Sequence, residues 1–80
     1  MFKVYVVKQR KSGSEVLKDT RSATPSRAAA LAAWSELYAR PFDAHHLLLL
    51  TEDGTKRAVH RFQARPGDPE YLPPGDPLEP

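Results

Sequence analysis

The stretch TPSRAAALAAWSELYAR, Thr24 to Arg40, decides the fold, because no other segment is long and periodic enough to form a helix of several turns. Thr24 carries the hydroxyl of an N-cap, and Pro25 suits the first helical position, where a missing N–H costs nothing. Pro41 pushes Arg40 out of the α region, and Arg40 itself suits the negative end of the helix dipole. About four turns are therefore expected. Ala30, Leu31, Trp34, Leu37 and Tyr38 recur at spacings of three and four, whereas Ala28, Ala32, Ser35, Glu36 and Ala39 take the opposite side. The alanines let the helix backbone approach whatever the apolar stripe covers, and Trp34 brings the largest apolar area. A sheet is the natural partner.

Strands are expected on both sides of this helix. In FKVYVVKQR, Phe2, Val4 and Val6 alternate with Lys3, Tyr5, Val7 and Gln9, a half-buried strand pattern rich in β-formers. Lys11 to Ser14 reads as a hairpin turn with Gly13 free for positive φ. The return segment, Glu15 to Ala23, has more charges than large apolar residues, as an edge strand protected from other sheets would, and its register is open. After the helix, HHLLLLTEDGTKRAVHRF reads as a second hairpin about Asp53-Gly54. With those two residues as the turn centre, Leu49 pairs with Ala58 and Leu47 with His60 on one face, and Leu48 with Val59 and His46 with Arg61 on the other. A three-residue loop would shift that register. The expected fold class is α+β, a ββαββ arrangement of about four antiparallel strands under one helix, over residues 1–64.

Residues 65–80 form a separate region. Six of the last fifteen residues are proline, and PGDP occurs at Pro66–Pro69 and again at Pro74–Pro77, so turns and polyproline II replace regular structure. Either Tyr71 and Leu72 anchor this tail to the body or it is a flexible acidic appendage. Charge divides the same way: residues 1–65 hold all twelve Lys and Arg against six acids, a net of +6, whereas residues 66–80 hold four acids and no base. A basic body favours an acidic partner or a tail that masks it.

Composition narrows the chemistry. Eighty residues make one domain with a thin core. The absence of cysteine removes disulfides and thiolate chemistry, and with no hydrophobic leader or spanning segment visible, a cytoplasmic protein is expected. His45 and His46 are adjacent on a strand and point to opposite faces, so with His60 they read as strand-end and rim histidines rather than a metal site. Ser12-Gly13-Ser14 lacks the spacing and lysine of a phosphate loop, and no nucleophile, base and acid set stands out. No enzyme, cofactor or metal is expected.

What remains is the face of the sheet that one helix cannot cover. Arg57, Val59 and Arg61 share a face, and burying both guanidinium groups without matching acids would cost several kcal/mol each. They are expected to point outward with Lys3, Tyr5 and Val7, and with His46 and Leu48 between. Lys3, Tyr5, His46, Arg57 and Arg61 are thus the candidate partner-binding residues, arginine being suited to carboxylate or phosphate and Tyr5 to stacking.

The layout of residues 2–62 resembles that of small phage-borne anti-CRISPR proteins that inhibit type I effector complexes. It shares with them the opening strand KVYVVK, a polar hairpin, a short Ala-rich helix begun by a Thr-Pro step and a closing hairpin with a DG turn. The Pro-rich tail departs from that layout. The resemblance implies a monomeric, stoichiometric inhibitor in the cytoplasm of a bacterial host. It would dock on a Cas subunit of the crRNA-guided complex and keep target DNA from binding. DNA mimicry through dense negative charge does not suit a body of +6, whereas contact with an acidic patch or blockage of the DNA channel does. The alternatives are a small nucleic-acid-binding phage or plasmid regulator using the same basic face, and an accessory domain of a larger protein.

Overall fold

A computed structural model describes residues 1–78. Its elements are β1 (Phe2–Arg10), β2 (Gly13–Val16), a 3-10 turn (Lys18–Thr20), β3 (Ser22–Thr24), α1 (Arg27–Tyr38), β4 (His46–Glu52) and β5 (Thr55–Arg61). All strands join one antiparallel sheet in the order β2-β1-β4-β5, with β3 also on β1. The α+β class with a single helix on one sheet is the one expected, with five strands in place of about four because the edge strand is split.

The split has a local cause. β2 pairs with the end of β1 (Val7↔Val16 to Arg10↔Gly13) and β3 with its start (Phe2↔Thr24 to Val4↔Ser22), both on the edge away from β4. Between them the chain leaves the ladder. The Thr20 hydroxyl accepts the Val6 N–H (2.9 Å) and donates to Leu17 O (2.6 Å), so a buried side chain completes the ladder where the strand does not.

The helix begins two residues later than its sequence signals indicate. Thr24 is held in β3 opposite Phe2, and its hydroxyl accepts the Ser26 N–H (3.1 Å). Ser26 then becomes the N-cap, accepting the Ala29 N–H at 3.1 Å, and Pro25 stays outside. The helix has 12 residues, about three turns. Its buried stripe is Ala30, Trp34 and Leu37, which pack with Phe2, Val4, Val6, Leu48, Leu50, Ala58 and Phe62. Trp34 is 1% exposed and its indole N–H has no partner among the described residues.

The closing hairpin turns at Asp53 and Gly54, whose φ values of 51° and 84° are the left-handed pair a two-residue turn needs. Glu52↔Thr55 and Thr51↔Lys56 follow as that turn dictates, but the next pair is Leu50↔Ala58, so Arg57 bulges out of the ladder. This corrects the sequence register by one residue, and one residue exchanges the faces of a strand. Because Leu48 and Leu50 lie opposite Val6 and Val4 on the helix side, an unbulged β5 would aim Arg57, Val59 and Arg61 into the core. The bulge sends Ala58, His60 and Phe62 there instead. His46 and Leu48, expected on the open face, are buried on the helix side, and Leu47 and Leu49 take the outer face.

The tail folds back on the body. Arg61 N–H donates to Glu70 O (2.7 Å), Tyr38 Oη donates to Leu72 O (2.7 Å), and Leu72 N–H donates to His60 Nδ1 (3.1 Å). Leu72 and Leu78 pack against the core, and Arg27 and Asp76 form an ion pair at 2.8 Å.

Trp34→Ala is expected to remove about 3 to 5 kcal/mol of stability and to leave so small a domain largely unfolded in a thermal melt followed by circular dichroism. Arg57 separates its side chain from its place in the chain. Arg57→Ala is expected to cost under about 1 kcal/mol, since the exposed pair it breaks is weak, whereas deletion of Arg57 removes the bulge and should abolish the cooperative transition.

Candidate functional site: the open face of the sheet

Across the uncovered face the register lays out three rows. Val16, Val7, Leu47 and Arg61 form the first, Tyr5, Leu49 and Val59 the second, and Ala23, Lys3, Thr51 and Lys56 the third. Arg21 follows Ser22 backwards along the same edge and stands level with Tyr5. The middle of the face is therefore aliphatic and aromatic, with cations at its end and side.

The arginines differ in what they already hold. Arg61 donates through Nε to Glu70 (2.9 Å), through one terminal nitrogen to Ala44 O (2.8 Å) and through the other to Gln9 Oε1 (2.8 Å). Gln9 belongs to β1, so the guanidinium reaches across β4, and the row residues Val7 and Leu47 are buried although no helix lies on this side. Arg57, at the bulge, pairs with Glu52. Lys3, Arg21 and Lys56 make no ion pair among the described residues.

Lys3 and Arg21 also shape the surface. They line two adjoining recesses, one of about 340 Å³ with Ser22 and Ala23, the other of about 220 Å³ with Tyr5 and Val16. Val16, 39% exposed, is the most accessible large aliphatic side chain after Met1 among the described residues. Of the residues singled out in the sequence, Lys3 and Tyr5 thus sit together in a recess. Arg61 lies on the same face as a clamp, Arg57 lies at its margin, and His46 is on the far side. Arg21 was missed; its cue was the alternation of the weak return segment, which the 3-10 turn hides.

No protein-family model, curated protein or solved structure matches this chain.

The histidines are divided by the sheet and its loops. His45 is exposed; His46 shares Asp43 Oδ1 through Nδ1 (2.8 Å), and its ring lies 4.9 Å from that of Phe42. The His45 backbone N–H, then His46, hold the Asp43 carboxyl below its usual range. His60 is the centre of an aromatic cluster, stacked on Tyr38 (4.4 Å, 23°), with Tyr71 at 5.6 Å and Phe62 at 5.9 Å. Burial, and secondarily Tyr71, push the Tyr38 phenol up, so it remains the O–H donor that Leu72 O requires. Among the described residues no group of three or more His, Asp or Glu side chains is placed to hold a metal ion, and no helix is long and apolar enough to cross a membrane.

Burial lowers the His60 pKa below its ordinary 6.5. Because Nδ1 accepts the Leu72 N–H, the proton of the neutral ring belongs on Nε2, and a second proton on Nδ1 would displace the tail. A depressed imidazole pKa gives stability that is complete above the unfolded value and lost as pH falls from about 6.5 through the folded value. The melting temperature is therefore expected to fall between pH 7 and 5. His60→Phe, which cannot titrate, should flatten that dependence.

Proposed function

We propose that this chain is a non-catalytic binding protein whose open sheet face takes an acidic surface of a protein partner. The observation that carries the reading is the pair Lys3 and Arg21, without an acid among the described residues, bordering two recesses of which one is lined by Tyr5 and Val16. An interface core wants desolvated aromatic and aliphatic area with arginine beside it, and charge of one sign at its rim steers the partner. One half-buried tyrosine is short of the two or three aromatics on which strand-binding sheets stack bases. That favours a protein partner over a nucleic acid.

The partner to which the layout of residues 2–62 directs this reading is a Cas subunit of a type I crRNA-guided complex in the bacterial cytoplasm. Occupation of that complex would keep target DNA out. The basic body opposes mimicry of DNA and supports contact with an acidic patch.

The test uses a purified type I effector complex, its target duplex and the full chain. The chain is expected to bind the complex stoichiometrically and to suppress target binding in a mobility-shift assay. Alone it should bind short duplex DNA no tighter than the non-specific range, ~10⁻⁴ to 10⁻⁶ M at physiological salt. A folded Lys3→Glu, Arg21→Glu variant should lose about tenfold or more in affinity for the complex, whereas Arg57→Glu should lose less, its charge being engaged by Glu52. Unchanged binding by the first variant would remove the site assignment. Tight, salt-steep binding of duplex DNA would replace the whole reading with a regulator of nucleic acid.

A further inference from the structure

The free edge of β5 lies away from the face just described, and its backbone is only partly used. His60 and Phe62 direct their N–H groups toward β4, as the Phe62 N–H to His46 O bond of 3.1 Å fixes, so Val59 and Arg61 direct theirs outward. The tail takes one of these outward positions, with Glu70 O accepting the Arg61 N–H at 2.7 Å. It then turns away at Leu72 to bond His60 and Tyr38. The N–H and C=O of Val59 are left without a backbone partner among the described residues. Beside them opens a groove of about 250 Å³ whose walls are Lys56, Arg57, Ala58 and Val59 on the strand and Pro69, Leu72 and Pro77 on the tail.

We infer that this groove binds a short extended peptide, apolar along its length and acidic at its C-terminal end, which adds antiparallel to β5 at Val59 as a further strand. Main-chain pairing to an unused strand edge supplies the attachment, and the apolar side chain enters between Ala58, Leu72 and the prolines. Lys56, unpaired among the described residues, stands with Arg57 at one end of this stretch and selects an acidic residue there. The same cations argue against a second copy of this chain as the occupant. Antiparallel pairing of two β5 edges about Val59 would set Arg57 of one against Arg61 of the other, and like charges directly opposite are destabilising. The tail also limits length, because Glu70 already occupies the edge at Arg61.

The experiment titrates isotope-labelled full chain with the blocked tetrapeptide Val-Leu-Val-Glu, its leucine opposite Val59 and its glutamate toward Lys56 and Arg57, and follows amide shifts and hydrogen exchange. The Val59 amide is expected to shift and to gain protection, with smaller changes at Leu72. The charge-reversed peptide Val-Leu-Val-Lys should bind about tenfold more weakly. Val59→Pro removes the outward N–H without touching the ladder to β4 and should weaken binding about tenfold, whereas Val59→Ala should not. A peptide N-methylated at its leucine should show the same loss against the parent chain, so the result does not depend on how the proline variant folds. Equal binding by the N-methylated peptide, shifts centred on Tyr5 and Leu49, or no saturable shift at millimolar peptide would overturn the assignment. So would concentration-dependent dimerisation in sedimentation, which would give the edge to a second copy. None of these outcomes depends on the open face having a partner.

Discussion

A single helix of twelve residues can bury only one face of a five-stranded sheet, and this constraint arranges everything else in the molecule. Trp34 concentrates the apolar area of the helix over the middle strands, where Val4, Val6, Leu48 and Leu50 are fully buried. Each strand must then present its apolar set to that side and its charged set to the other. β1 largely does so by alternation, whereas β4, leucine from 47 to 50, offers apolar side chains to both faces. β5 cannot, because the two-residue turn at Asp53 and Gly54 would deliver it in the wrong phase, and the bulge at Arg57 corrects the phase by one residue.

The class of fold was legible because its signals are periodic. The alternation of Phe2, Val4 and Val6, the stripe through Ala30, Trp34 and Leu37 and the Asp53-Gly54 turn each act within a few residues. What was not legible depends on competition between distant groups. Thr24 and Pro25 together read as a helix start, but Thr24 has a stronger claim as the strand residue opposite Phe2, and Ser26 takes over the cap. That Arg57 and Arg61 must stay out of the core is readable from their charge; the way this is met is not, because the bulge belongs to neither strand's own pattern. Hence His46 and Leu48, expected outside, lie inside.

The same competition governs the candidate site. An arginine in a sequence announces charge but not whether that charge is already satisfied. Arg61 holds Glu70, Ala44 O and Gln9 at once, which makes it a strap over Leu47 before it is anything to a partner. Arg57 is engaged by Glu52. Among the described residues Lys3, Arg21 and Lys56 hold no acid, and the first two stand together at the opposite margin, one on the strand most easily read and the other beside a 3-10 turn that interrupts the pattern. Mapping charge onto ion pairs therefore moves the centre of the open face from β5 to the β1–β3 side.

The proline-rich tail shows how a segment without regular structure can be part of a small core. Eighty residues leave little apolar surface to bury, and the helix is too short to cover the rim beyond β5. Leu72 and Leu78 supply that cover, and proline lowers the entropy lost in ordering the segment that carries them. Glu70 settles on Arg61 and Asp76 on Arg27, so the tail neutralises two arginines of the body and leaves the cations at the side of the open face to a partner. The attachment converges on His60, whose ring faces Tyr38, Phe62 and Tyr71 and accepts the Leu72 N–H. An imidazole can accept that bond only while neutral, and the burial that keeps it neutral comes in part from the tail it holds. Tail and cluster are thus mutually dependent, which makes residues 66–78 a structural part of the domain.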